Sequence, residues 1–143
     1  MIVLDTNVIS EIVRPEPNMN VVAWLEPLGD DVAITAVTFA ELLAGIRRLP
    51  DGRRKDVLTA RIEGALKPYR AGGSVLSFDD VAAQGYAEVL STRQSAGLPI
   101  STADAQIAAI CLAHGAVCAT RNLKDFAYTG VTVIDPWVQQ TST

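Results

Sequence analysis

The sequence is poor in the side chains that build zinc sites and nucleophile triads. It contains one histidine and two cysteines among 143 residues. Cys111 and Cys118 lie in apolar surroundings without the paired spacing of a zinc site, so we interpret them as small buried side chains. His114 stands at the end of a predicted helix, and no serine occupies a nucleophile-elbow motif. A zinc site and a serine-hydrolase triad are therefore both disfavoured.

The sequence also lacks a long apolar run and an excess of basic charge. No stretch is long enough to span a membrane, and the first residues lack the pattern of a secretory signal, so we expect a cytoplasmic protein with no membrane partner. Twelve basic residues against sixteen acidic ones give a net charge of −4. This balance argues against a protein that holds nucleic acid mainly through bulk charge. It does not exclude a nuclease with an acidic centre, because bound cations would reverse the local sign.

Short apolar runs alternate with helical patterns along the chain. Hydrophobic residues make up 49% of the sequence, which is enough to bury a core, and the length fits one domain spanning residues 1–143. The apolar runs predict strands at residues 2–4, 32–35, 74–77, 116–119 and 131–134. The helical patterns lie at residues 8–13, 18–25, 37–49, 53–66, 79–97 and 101–114. This alternation predicts an α/β fold with a mainly parallel central sheet.

Acidic and amide side chains follow two of the predicted strands. Asp5 comes directly after the first strand, and Asn122 and Asp125 follow the strand at residues 116–119. Ligands of open parallel sheets bind at the carboxyl ends of the strands. We therefore expect these three side chains to lie at one edge of the sheet.

Two further acids lie in apolar helices. Asp104 is in the first turn of a helix that is apolar almost all round; a capping role is the ordinary alternative, but Ser101 and Thr102 already offer the cap. Glu41 has helical neighbours that do not form a polar stripe, and a carboxylate in so apolar a helix is costly unless something pairs with it. A narrow solvent-facing stripe is the alternative for Glu41. Clustered carboxylates without histidine or thiolate suit Mg²⁺ or Mn²⁺.

Four acidic motifs stand in the order and spacing of a known family. They read Ile2-Val3-Leu4-Asp5-Thr6-Asn7, Thr38-Phe39-Ala40-Glu41-Leu42, Ala103-Asp104-Ala105-Gln106-Ile107-Ala108-Ala109 and Ala119-Thr120-Arg121-Asn122-Leu123-Lys124-Asp125-Phe126. One such motif would be weak evidence, but four in order along nearly the whole chain are specific. On these motifs the chain resembles the PIN-domain ribonucleases, and within them the VapC toxins of the FitB-like branch.

This resemblance implies a fold, a reaction and a set of site residues. The fold is an α/β/α sandwich, and the reaction is Mg²⁺- or Mn²⁺-dependent cleavage of RNA phosphodiester bonds by one or two ions. The implied catalytic set is Asp5, Glu41, Asp104, Asn122 and Asp125, with Asp5 and Asp104 as the metal ligands. Relatives differ in whether the fourth role falls on the position of Asn122 or of Asp125, so that division of labour stays open.

The resemblance also implies polar residues around the site and several partners. Asn7, Ser101 and Thr120 match polar positions near the site in relatives. The partners are a second copy of the chain, a VapB-like antitoxin and operator DNA bound by a larger hetero-oligomer. We expect partners to cover an apolar surface formed by Trp24, Leu25, Leu28, Leu42 and Ile46. Arg47, Arg48, Arg53, Arg54 and Lys55 either guide RNA or form a solvated helix face.

Two other functions are compatible with parts of the pattern. An aspartate after the first strand also begins the dehalogenase-type phosphatases, but those enzymes need a second aspartate two residues later, where this chain has Asn7. A PIN fold used only to bind a partner is the other alternative. Inactive relatives usually lose acids, whereas this chain keeps Asp5, Glu41 and Asp104.

Overall fold

Five short parallel strands form the centre of the fold. In the computed structural model, which describes residues 1–138, they are β1 (Ile2–Leu4), β2 (Val32–Thr35), β3 (Val75–Leu76), β4 (Val117–Ala119) and β5 (Val133–Ile134). Their order is β3-β2-β1-β4-β5, and every neighbouring pair is parallel. The predicted parallel sheet is thus confirmed. Strands β2 and β3 extend the sheet on one side of β1, and β4 and β5 extend it on the other side. A crevice therefore opens at the carboxyl ends of β1 and β4.

The helices occupy both faces of this sheet. They are α1 (Thr6–Ile12), α2 (Met19–Leu25), α3 (Ala36–Arg47), α4 (Arg53–Ala71), α5 (Asp80–Ser95), α6 (Thr102–His114) and α7 (Leu123–Phe126), with a 3₁₀ turn at Glu26–Leu28. The side chains of Asn18, Asp79 and Ser101 cap α2, α5 and α6 by accepting N–H groups of their first turns, and Ser101 is a cap that the sequence offered. Gly115 ends α6 with a φ of +60°. Within residues 1–138 no helix is long and apolar enough to cross a membrane.

Two hydrophobic clusters lie on opposite faces of the sheet. Leu4 packs into the cluster with helices α1 to α4, whereas Val3 packs into the cluster with α5 and α6. Neighbouring residues of β1 thus point to opposite faces, as a strand requires. Six residues of α6 are buried, which confirms it as the central buried helix: Ala105, Ile107, Ala108, Ala109, Ile110 and Cys111. The α/β/α sandwich is therefore confirmed.

Some details of the sequence prediction were wrong. Helix α4 continues past the predicted end at residue 66 and through Pro68 to Ala71, and Tyr69 beyond the proline packs against the core. Tertiary packing thus outweighs the single hydrogen bond that the proline removes. Two of the apolar residues assigned to a partner surface, Leu42 and Ile46, are only 5% and 4% exposed and belong to the core.

Candidate active site

Four of the five predicted site residues converge on one cavity at the carboxyl edge of the sheet. Asp5, Glu41, Asp104 and Asn122 line this cavity, whose volume is about 430 Å³. Asp5 stands at the end of β1, Asp104 in the first turn of α6, and Asn122 immediately before α7. Asp125, in the first turn of α7, is not among the lining residues, but its charge acts on Asp104. The topology therefore brings together side chains that are far apart in the sequence.

Asp5 is the most buried acid of the cavity, with 3% of its surface exposed. Its Oδ1 accepts the N–H of Thr6 at 2.8 Å, and its Oδ2 accepts the hydroxyl of Thr120 at 2.8 Å and the amide of Asn7 at 3.3 Å. Burial raises the pKa of Asp5 to about 6; the hydrogen bonds oppose this shift, and the charges of Asp104 and Glu41 add to it. Asp5 forms no ion pair within residues 1–138.

Asp104 is half-buried and is not the cap of its helix. Ser101 is the cap, because its hydroxyl accepts the N–H of Asp104 at 3.1 Å. Burial raises the pKa of Asp104 above its ordinary value; the Ser101 hydrogen bond opposes this, while the charges of Asp125 and Glu41 add to it. The capping alternative for Asp104 is thus removed, and its carboxylate is left for the cavity.

Glu41 lies at the cavity but is exposed, so the prediction that it stands in costly apolar surroundings was wrong and the solvent-facing alternative is correct. Glu41 is on α3 and lines the cavity. Its Oε1 accepts a hydrogen bond from the hydroxyl of Thr6 at 2.7 Å. The same hydroxyl lies 3.1 Å from Thr38 Oγ1. Thr6 therefore holds Asp5 through its backbone and Glu41 through its side chain. Sequence reasoning missed Thr6, although its place directly after Asp5 in the first motif was a signal.

Thr120 and Asn7 hold the end of β4 against the end of β1. The fully buried Thr120 accepts hydrogen bonds at its hydroxyl from the Asn7 amide at 3.2 Å and from the N–H of Asn122 at 3.0 Å. Asn122 makes no side-chain cap bond to α7. Its amide group is therefore not used as a helix cap. Asn7 occupies the position of the second aspartate of a dehalogenase-type phosphatase and serves as a donor to Asp5, which does not favour that alternative.

A buried arginine fixes α7 and was not foreseen. Arg93 on α5 is 3% exposed, and it donates to the carbonyls of Lys124, Ala127 and Pro99 at 2.7 to 3.0 Å. These bonds tie the segment before α6 to both ends of α7, and so set Asp104 and Asp125 in place. In the sequence, Arg93 is one of three charged residues in α5, and nothing about it signals burial.

The donor set of the cavity fits a hard divalent cation. Within positions 1–138, no group of three or more His, Cys, Asp or Glu residues is arranged so that it could hold a metal ion. Mg²⁺ does not require three protein ligands, since it usually keeps several waters and binds one or two carboxylates. Asp5 and Asp104 offer two carboxylates whose negative charges no ion pair compensates in the described residues. They are the pair that fits such an ion.

Comparison with known proteins gives matches that span most of the chain. Residues 2–130 match the PIN domain family. The chain is 46% identical to the plasmid stability protein StbB of Pseudomonas syringae pv. tomato and 44% identical to toxin FitB of Neisseria gonorrhoeae. It is 41% identical to the VapC ribonuclease Y4jK of Sinorhizobium fredii. Each of these matches covers 96% of this chain and 98–99% of the relative.

Solved structures give the same result at the level of the fold. The chain superposes on a structure of FitAcB from Neisseria gonorrhoeae with a TM-score of 0.87 and 43% identity, covering 96% of this chain and 99% of the other. A structure of FitAB bound to an IR36 DNA fragment gives a TM-score of 0.90 and 42% identity over 100% of both chains.

Proposed function

The chain belongs to the PIN-domain family, and on this premise we propose that it is a Mg²⁺- or Mn²⁺-dependent ribonuclease that acts as the toxin of a toxin–antitoxin pair. One observation carries the catalytic part: Asp5, Glu41 and Asp104 line the same cavity, with the pKa of Asp5 raised to about 6. The name of the relative that is called a ribonuclease supports the substrate class.

In this proposal the chain's own residues bind and orient the reacting groups. Asp5 and Asp104 would hold the ion, which when bound would lower the pKa of a water and offset charge on the phosphate. Thr120, Asn7 and the N–H of Thr6 fix the orientation of the Asp5 carboxylate. No covalent enzyme intermediate is required.

Glu41 and the fourth motif complete the acidic surface. Thr6 occupies one oxygen of Glu41, which leaves the other oxygen available to orient a water at the cavity. Asn122 contributes a neutral oxygen at the cavity wall, and Asp125 contributes charge through its effect on Asp104. These two residues therefore differ in role. Asn122 acts by direct contact at the cavity wall, whereas Asp125 acts through the electrostatic effect of its charge on Asp104.

The activity is tested with purified protein and a panel of transfer, ribosomal and messenger RNA, with Mg²⁺ or Mn²⁺ and with EDTA. We expect cleavage that EDTA abolishes. Full activity in EDTA would contradict the metal mechanism. Absence of cleavage of any RNA, with the fold intact, would instead favour a PIN fold used for binding.

The toxin part of the proposal concerns partners in the cytoplasm. One relative is named a toxin, and its complex FitAB is described as bound to DNA. By analogy we propose a homodimer that binds a VapB-like antitoxin, with operator DNA bound by the larger assembly. The test is bacterial expression of the chain alone and with the neighbouring upstream reading frame. Growth arrest that this frame relieves is expected; harmless expression of the active chain would remove the toxin role and leave the nuclease.

A further inference from the structure

A guanidinium and an indole are stacked beside the acidic cavity. The guanidinium carbon of Arg121 lies 5.3 Å from the centroid of the Trp137 ring. Both residues line the same cavity as Asp5 and Asp104. The mechanism proposed above uses neither of them, although both stand within the space that a substrate must enter.

Within residues 1–138, Arg121 is a cation without an anionic partner. It is exposed and forms no ion pair within residues 1–138, even though it stands beside several carboxylates. The other arginine of the cavity wall, Arg14, is paired with Glu11 at 3.2 Å. Stacking on an aromatic ring uses the face of a guanidinium and leaves its N–H donors, which lie in the plane, free for a ligand. Arg121 therefore presents a planar, unpaired cation to the cavity.

Trp137 is held in place from several directions. Its indole Nε1 donates to Glu11 Oε1 at 3.3 Å, and its backbone N–H donates to Asp135 Oδ1 at 2.9 Å. Its carbonyl accepts the amide of Asn20 at 2.9 Å, and its ring packs against the core. The stacking surface under Arg121 is therefore rigid. Packing alone would explain a tryptophan here, but it does not explain the exposed arginine stacked on it.

Glu11 holds the Trp137 ring in position through its hydrogen bond to the indole Nε1. It is 6% exposed, and it accepts the N–H of Asn18 at 3.1 Å in addition to Arg14 and Trp137. Burial acts to raise the pKa of Glu11, but the hydrogen bonds from Asn18 and Trp137 and the Arg14 charge outweigh it, so the pKa is lowered. Glu11 thus stays an ionised acceptor at neutral pH and fixes the indole.

We propose that Arg121, held on the Trp137 ring, binds a backbone phosphate of the RNA next to the bond that is cleaved. This inference rests on the proposed ribonuclease function and names a phosphate subsite within it. An RNA chain that enters an acidic cavity brings several negative charges, and Arg121 is the unpaired cation that the described cavity wall offers them. The guanidinium fork matches phosphate oxygens in a bidentate geometry. Trp137 and Glu11 act as positioning residues.

The test measures binding separately from cleavage. A fluorescein-labelled single-stranded oligoribonucleotide is titrated with the Asp5→Asn protein in EDTA, where cleavage does not occur, and anisotropy gives the Kd. Arg121→Gln in this background should weaken binding at least about tenfold, as expected for loss of a charged hydrogen bond. The slope of log K against log salt should become shallower by about 0.7, because one phosphate is no longer neutralised by the protein. Lys67→Gln also removes one positive charge, from an exposed position of α4 outside the cavity wall, and should change Kd less than about twofold.

The positioning role of Trp137 is tested by the conservative variant and by a double variant. Trp137→Phe keeps a ring face but loses the N–H to Glu11, so we expect a smaller loss of binding than with Trp137→Leu. If the ring acts through Arg121, the double variant Trp137→Leu/Arg121→Gln should bind no worse than Arg121→Gln alone. Circular dichroism and Tm report whether each variant folds.

Two results would overturn the phosphate subsite. One is an equal loss of binding in Arg121→Gln and Lys67→Gln, which would show only nonspecific attraction. The other is an oligoribonucleotide that fails to bind the Asp5→Asn protein at all. Failure of the ribonuclease proposal looks different: the unmodified protein would not cleave RNA, while binding that depends on Arg121 would persist.

Discussion

At the scale of single residues, Asp5 carries the main electrostatic cost of the site. Burial and the neighbouring acids hold its pKa at about 6, above the ordinary value of 3.8. The protonated form of Asp5 is therefore more favoured in the folded state than in the unfolded state. The stability that this preference contributes is complete below pH 3.8 and is lost as the pH rises through about 6. At neutral pH without metal, the ionised carboxylate destabilises the fold.

The first prediction concerns Asp5→Asn. We expect it to abolish metal-dependent cleavage while raising the free energy of unfolding at pH 7 in EDTA by up to about 3 kcal/mol, since it removes a buried charge. Urea unfolding at pH 4 and pH 7 measures this, and the gain should shrink at pH 4. Asp30→Asn, at an exposed position, is the control. A variant that is equally destabilised at both pH values would show that the carboxylate is structurally required.

The second prediction concerns the fourth motif. Asp125 acts on Asp104 through its charge, so Asp125→Asn should weaken the apparent metal affinity by about tenfold, the equivalent of ~1.4 kcal/mol. Asn122→Ala removes only a neutral group at the cavity wall and should affect metal affinity less. The measurement is cleavage rate against Mn²⁺ concentration at saturating RNA. The reverse order would assign the family's fourth role to Asn122.

At the scale of elements, α5 controls the position of α7 through one side chain. Arg93 satisfies three carbonyls while its own Nε has no partner within residues 1–138. The short α7 has no side-chain cap bond of its own. A four-residue helix is not stable by itself, so these bonds and the burial of Phe126 keep it in place.

The third prediction follows from this contact. Arg93→Met keeps much of the side-chain volume but leaves buried carbonyls without donors, so we expect a loss of about 3 kcal/mol in the free energy of unfolding. Chemical denaturation measures the loss, and Arg61→Met, at an exposed position of α4, is the control. The cleavage that survives should show weaker metal affinity, because Asp125 is released. A loss below about 0.5 kcal/mol would mean that water replaces the guanidinium.

At the scale of the whole molecule, the acidic cavity joins elements from both halves of the sheet. Asp5 comes from β1, Glu41 from α3 and Asp104 from α6, and no ion pair in the described residues offsets the first or the third. A cation bound between them would stabilise the folded state alone. Ligand binding of this kind raises the apparent stability by mass action.

The fourth prediction is a rise in Tm with Mn²⁺. At about 100 times Kd the ion should add ~2.7 kcal/mol, which corresponds to roughly 5 °C or more for a chain of this size. Asp104→Asn and Asp5→Asn should remove the rise, whereas Asp30→Asn should keep it. Differential scanning fluorimetry in Mn²⁺, Ca²⁺ and EDTA provides the comparison. An equal rise in all variants would place the ion elsewhere on the protein.

The sequence by itself determined the fold class and the location of four of the five predicted site residues. Apolar runs of three or four residues that alternate with capped helices are sufficient to specify a parallel α/β sheet, because the period and the caps are local properties. The four acidic motifs placed Asp5, Glu41, Asp104 and Asn122 correctly at the edge of the sheet, because each follows a strand or begins or lines a helix at that edge.

Only the tertiary structure decided how these side chains are supported. Whether a helical residue is buried depends on which helix faces pack together, and this is not a local property. The structure buries Leu42, Ile46, Arg93 and Glu11 in this way and leaves Glu41 exposed. The stack of Arg121 on Trp137 joins two residues sixteen positions apart, with α7 and β5 between them. Such contacts arise from the order of the strands, which places β4 beside β1 and β5 beside β4, and no local pattern in the sequence encodes that order.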